Sequence, residues 1–222
     1  MAILTQNPPT AKTSNPLRRS LEIVRADLAA YLWHNGLYYG LVILGMVYVM
    51  FFNPALQQQL LAAIGQAFTT GPLGAVGDAY GGGQVFTAML LTFLVNLILG
   101  SFIEINLLGL IVPFSGLLMG LYRGLLWGLL LAPSEPSLAG VMVPHSLTLL
   151  IEGQAYVLAM LAVYVQGKAF LRPQAYGLTG HARGYVEGLR RTGWIYLLVT
   201  LLLAVAAVYE ALEVIFLAPL FA

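Results

Sequence analysis

Residues 113–132 read Pro-Phe-Ser-Gly-Leu-Leu-Met-Gly-Leu-Tyr-Arg-Gly-Leu-Leu-Trp-Gly-Leu-Leu-Leu-Ala, and this stretch decides the fold class. Gly116, Gly120, Gly124 and Gly128 recur every fourth residue, with bulky apolar residues filling most positions between them. On a helix, that spacing lines the glycines along one slowly rotating groove. In water the helix would be weak, because each interior glycine costs about 1 kcal/mol relative to alanine. In lipid, a groove without side chains lets a second backbone approach closely, and close packing is what associates helices there. Arg123 flanks the groove, and a cation at that depth is costly unless a partner answers it.

The rest of the chain agrees with a lipid setting. Of 222 residues, 59% are hydrophobic and only 9% are charged, with a mean hydropathy of +0.85. A soluble domain carries about 25% charged residues, so the sequence describes an integral membrane protein. A net charge of +1 gives no basis for a nucleic-acid partner, and the absence of cysteine removes thiolate chemistry and disulfides. The expected fold is all-α: a polytopic bundle of about five transmembrane helices with amphipathic interfacial helices.

In chain order, residues 1–14 read as a disordered tail. Asn15-Pro16 is a helix start, with asparagine at the cap and proline at the first helical position. Leu17, Leu21, Val24, Leu28 and Leu32 then repeat at helical spacing beside Arg18, Arg19 and Arg25, giving a basic amphipathic helix over 16–34. It either lies on the membrane surface or leads as a solvated helix into the first span. Trp33, Tyr38 and Tyr39 mark an interface. Spans are expected near 36–52, 85–103, 107–132, 138–166 and 194–217. A short helix over 55–68 should lie along the far surface, and glycine-rich residues 70–84 should form a loop. The turn between the second and third spans falls either at Ser101–Asn106 or at Val112–Ser115, the first being preferred. Residues 168–193 read as a polar loop with a short helix around Tyr185–Arg191.

Charge sets the topology. Four Lys or Arg residues precede the first span and five lie between the fourth and fifth. The positive-inside rule makes both segments cytoplasmic. The N-terminus is then inside, the C-terminus outside, and the location is the cell membrane.

The polar residues inside the bundle are the candidate site. By helical rise, Arg123 lies roughly 13 Å and Glu152 roughly 18–21 Å below the outer surface, within reach of an interhelical ion pair. Such a pair would fix the register of two helices, or serve as a proton or anion relay. His145 and Glu152 share one face of the fourth span, below Pro144, as in the lining of an outward-opening polar cavity. Glu104 is expected at the inner turn, and Asn96 as an interhelical hydrogen-bonding residue. Glu210 and Glu213 are expected to be solvated at the outer interface. His145 and Glu152 stand too far apart for a dense ligand cluster, so neither metal nor cofactor is expected. Ser146 has no base facing it, and no enzymatic chemistry is expected.

Val143-Pro144-His145-Ser146, followed by Glu152-Gly153-Gln154-Ala155 and Gly167, resembles the Pro-His-Gly…Glu-x-x-Ala pattern of the stage II sporulation protein M family. Asn96 and Ser115-Gly116-x-x-x-Gly120 extend the likeness over residues 85–170. The resemblance implies a polytopic membrane protein without established enzymatic chemistry. The leading expectation is a scaffold or assembly subunit of a membrane complex or homo-oligomer, its partners being the bilayer and other membrane subunits. The alternative is a small-solute or ion transporter or channel using His145, Glu152 and Arg123.

Overall fold

The computed structural model describes residues 15–71 and 73–221, so the tail expected over 1–14 lies outside the described residues. Those residues are helical throughout, joined by short turns. The elements are α1 (Pro16–Ala26), α2 (Leu28–Phe51), α3 (Pro54–Thr69), α4 (Gly74–Gly81), α5 (Val85–Ile111), α6 (Ser115–Leu130), α7 (Pro136–Leu171) and α8 (His181–Leu212). The last helix continues through a wider turn, Glu213–Leu217, to Leu220. Four of these helices are long and apolar enough to cross a membrane: α2, α5, α7 and α8 with its extension.

Helix α7 is the axis. In its most apolar window 72% is buried inside the protein, against 22–33% for the other three. From Ala155 to Val163 every residue is buried, because α2, α5, α6 and α8 surround it. The outward faces stay apolar: Ile43, Phe86, Leu118, Leu150 and Val205 are exposed. A patch that size on a chain in water would demand a partner; acyl chains satisfy it.

The glycine groove of α6 is filled from within the chain. Gly116, Gly120, Gly124 and Gly128 are all buried. A Cβ on Gly116 would overlap the Ile105 carbonyl of α5, and one on Gly120 would overlap Met160 of α7. A Cβ on Gly124 would sit 3.1 Å from Tyr38 of α2, and one on Gly128 would overlap the Val42 carbonyl. On α2, Gly45 completes the seam, since a Cβ there would lie 2.8 Å from the Leu125 carbonyl. The seam therefore joins α6 to α2 in parallel and to α5 and α7 in antiparallel.

Several expected boundaries move. The turn preferred at Ser101–Asn106 is at Val112–Phe114, and α5 runs unbroken from Val85 to Ile111. Helices resist ending inside an apolar run, and Pro113 is where the chain stops donating hydrogen bonds. Phe114 takes a left-handed conformation (φ 68°), costly for an aromatic residue. Its ring packs against Gly167, where a Cβ would come within 2.8 Å of it. The helix that contains the expected first span begins at Leu28. The amphipathic helix ends at Ala26, where the buried Asp27 ion-pairs with Lys168.

Tyr38, expected at an interface, is fully buried, whereas Trp33 is exposed. Residues 70–84 are not all loop: Gly74–Gly81 is helical, and Gly77 lies so close to Phe68 that no Cβ fits. Together α3 and α4 form a pair bent by 85°. The loop expected over 168–193 shrinks to Arg172–Gly180, with α7 and α8 each longer than expected.

Helix α3 is anchored by one buried side chain. Gln57 Nε2 donates to the carbonyls of Leu130 (3.0 Å) and Ala132 (2.8 Å), and its Oε1 accepts from Ser134 Oγ (2.6 Å). The end of α6 leaves carbonyls without intrahelical partners, and Gln57 satisfies them.

Candidate functional site: a cavity among six helices

Asn96, Glu104, Arg123, His145 and Glu152 all line one cavity of about 470 Å³. Tyr80, Thr92 and Glu210 join them, and Ile64, Phe68, Leu73 and Val76 of the bent α3–α4 pair form an apolar cover. The cavity occupies the half of the bundle remote from α1.

On α5, backbone hydrogen bonding widens to the i→i+5 pattern of a π-helix over Val95–Leu107. Val95, Asn96, Leu99, Gly100 and Glu104 reach the cavity in steps of four and five residues, the spacing that a π-helix brings to one face. The wide turn thus carries Glu104 to the bundle interior. Its expected place at an inner turn is corrected accordingly, because α5 does not end there.

Arg123 projects from α6 into this space. One terminal nitrogen donates to Glu104 Oε2 (2.6 Å) and the other to Tyr156 Oη (2.7 Å). Tyr156 Oη in turn donates to Glu152 Oε1 (2.6 Å). The expected Arg123–Glu152 ion pair is therefore not direct. The guanidinium pairs with Glu104, and Tyr156 carries the contact on to Glu152. Gly100 makes the room, since a Cβ there would stand 2.8 Å from the guanidinium and 3.1 Å from Tyr156 Oη. The cation also lies 4.2 Å from the Tyr156 ring centroid and 5.7 Å from that of Trp127, over negative ring faces.

A second cluster closes the far end. His145 Nδ1 lies 2.9 Å from Glu213 Oε2, which also accepts from Thr148 Oγ1 (3.4 Å). Glu213 is fully buried. Its expected solvation is corrected: the wide turn at Glu213–Leu217 swings the carboxylate inward against α7. Tyr209 Oη donates to the Pro144 carbonyl (2.9 Å), holding α8 to α7 beside the internal proline. Glu210 is half-buried and lines the cavity, so it too departs from simple solvation. Asn96 faces the cavity; among the described residues it makes no hydrogen bond to another helix.

The charge balance is uneven. Glu104 is answered by Arg123, and Glu213 by His145 when the imidazole is protonated. Among the described residues, Glu152 and Glu210 have no cation of their own. Tyr38 Oη, Arg123 Nε and Glu213 Oε1 are buried without a hydrogen-bond partner among the described residues. Carboxylates in this arrangement can hold a proton or a cation. Sequence reasoning missed Tyr156, Gly100 and Tyr80. Tyr156 was findable, since it lies four residues after Glu152 on one helix and so faces the same way. Gly100 and Tyr80 act through contacts between distant segments and leave no local signal.

Comparison with known proteins returns no match to a family model, to a curated protein or to a solved structure.

Proposed function

We propose that this chain is a polytopic cell-membrane protein that takes up a small cationic solute, the proton included, in the cavity around Glu152 and Glu210, and works as a transporter or channel. The observation that carries the reading is the convergence of Asn96, Glu104, Arg123, His145, Glu152 and Glu210 on one cavity, with two carboxylates in excess of the cations. Ionisable groups placed among apolar helices are costly, and they mark solute or proton pathways. The likeness of Val143–Ser146 and Glu152–Ala155 to the stage II sporulation protein M family belongs to the same proposal, because His145 and Glu152 are the matching residues that line the cavity.

The assembly-subunit reading gave the glycine groove two uses, holding the bundle together or receiving a partner helix; with α2, α5 and α7 against it, the contacts favour the first.

In the proposed topology α2, α5, α6, α7 and α8 cross the bilayer, and α3–α4 dips in from one side. Helix α6 has 16 residues, about 24 Å at 1.5 Å per residue, short for a hydrocarbon core of about 30 Å. Arg18, Arg19 and Arg25 of α1 gather with Lys168, Arg172, Arg183, Arg190 and Arg191 at one end, which the positive-inside rule makes cytoplasmic. The cavity then faces outward, with the N-terminus inside and the C-terminus outside.

Proteoliposomes containing the full chain and a trapped pH dye test the reading, under imposed gradients of protons, sodium, potassium or methylammonium. Flux above empty liposomes, lost in Glu152→Gln with the folded fraction unchanged, is the expected result. Equal flux in wild type and Glu152→Gln would sink it.

A further inference from the structure

Where α1 lies against α8, Arg19, Glu22, Ile23, Arg190, Arg191 and Trp194 enclose a second pocket of about 220 Å³. Trp194 and the cavity residue Glu210 are 16 positions apart on α8, about 24 Å along the axis. The pocket is therefore independent of the proposed solute site.

Its walls are built rather than incidental. Ser20, fully buried, donates from Oγ to the Trp194 carbonyl (2.7 Å), which holds α1 on α8. The Arg19 guanidinium lies 4.9 Å from the Trp194 ring centroid. Ion pairing around the pocket is incomplete. Arg18 pairs with Glu22 (2.9 Å), while Arg190 and Arg191 share Glu187 (2.8 and 2.7 Å). Four guanidiniums thus meet two carboxylates, and among the described residues Arg19 has no carboxylate partner. A planar guanidinium held on an aromatic face, beside two more, suits the oxygens of a phosphate.

An apolar stripe runs on from the pocket along α8. Leu201 and Val205, seven and eleven residues after Trp194 and so on the same side of the helix, are exposed. A soluble phosphate ester has no use for such a stripe, whereas a lipid places its phosphate in the pocket and its acyl chains along it.

We propose that Arg19, Arg190, Arg191 and Trp194 bind the phosphate of an anionic phospholipid, with Leu201 and Val205 against its chains. Basic pockets among membrane helices recognise headgroups in this way, with roughly 1 kcal/mol, or about fivefold in affinity, for each basic residue near the surface.

Native mass spectrometry of the delipidated full chain in detergent tests it, with phosphatidylglycerol, phosphatidylcholine or inorganic phosphate added. Wild type should retain phosphatidylglycerol over phosphatidylcholine, and excess inorganic phosphate should not displace it. Arg19→Gln and, separately, Arg190→Gln should each weaken phosphatidylglycerol about fivefold. Arg183→Gln removes the same charge from the first turn of α8, outside the pocket and without unpairing Glu22, and should leave the affinity within twofold. Equal retention of the two lipids would overturn the proposal, as would equal losses in Arg183→Gln and Arg19→Gln. Displacement by inorganic phosphate would assign the pocket to a soluble anion instead and overturn the lipid. Thermal unfolding of each variant separates lost binding from lost fold: wild-type melting with fivefold weaker lipid supports the site, and unchanged lipid affinity in both pocket variants refutes it.

Discussion

The most informative perturbation separates the direct partner of Arg123 from the relayed one. Arg123→Met removes the guanidinium while keeping an unbranched side chain that fits among Tyr156, Trp127 and Gly100. Breaking a buried ion pair from one side costs about 3–5 kcal/mol, because the remaining charge is stranded. Here both partners keep some accessibility, 16% for the Arg123 side chain and 25% for Glu104, so the lower end, about 3 kcal/mol, applies. Glu104→Gln alone should cost about 2 kcal/mol, since the cation keeps Tyr156 and, through it, Glu152. The double variant should cost about 3 kcal/mol rather than the sum, giving a coupling energy of about 2 kcal/mol. The same cycle on Arg123 and Glu152 should give about 1 kcal/mol or less, and in a Tyr156→Phe background close to zero. Reversible unfolding in mixed micelles titrated with dodecyl sulfate, followed by tryptophan fluorescence, measures each term. Additivity within about 0.5 kcal/mol for Arg123 and Glu104 would refute the pairing. Stronger coupling to Glu152 than to Glu104 would refute the relay.

Two further outcomes concern packing. Gly128→Ala should destabilise by about 1–2 kcal/mol, because the new methyl meets the Val42 backbone carbonyl and overpacking outweighs the gain in helix propensity. Gly40→Ala on α2, where nothing stands within 4 Å of the added carbon, should instead raise the melting temperature, and a fall there comparable to that of Gly128→Ala would count against the groove. Gln57→Leu keeps the volume but takes the donor from the Leu130 carbonyl and the acceptor from Ser134 Oγ, while Ala132 keeps the Ser134 amide, which should cost about 2–3 kcal/mol. Hydrogen exchange should then quicken across α3 and the 131–134 turn; unchanged protection would show that the anchor is elsewhere.

How much could be read in advance depends on the range of the interaction. Asn15 caps α1, accepting from the Leu17 amide at 3.0 Å, as the Asn-Pro pair required. The four glycines of α6 are buried in a close-packed seam. His145 and Glu152 share a lining because seven residues are two helical turns. Each of these follows from spacing within one helix. The turn after α5 went the other way. Within Val85–Ala132 the local mark that distinguishes a break at Val112 from one at Ser101 is Pro113, and contacts completed the choice. Glu104 reaches Arg123 only if α5 continues, and Phe114 turns the chain only because Gly167 of α7 leaves room for its ring.

By itself, the sequence determined an all-helical chain of lipid-adapted composition, the basic segments that would set its topology, and which side chains are too polar to be left without partners. Those follow from transfer free energies and helical period, both properties of short stretches. The tertiary structure alone decided that the groove is filled from within, that Glu104 rather than Glu152 meets the guanidinium, and that six polar residues enclose one space. Which face meets which neighbour depends on the packing of residues far apart in the chain, and no local pattern contains that information.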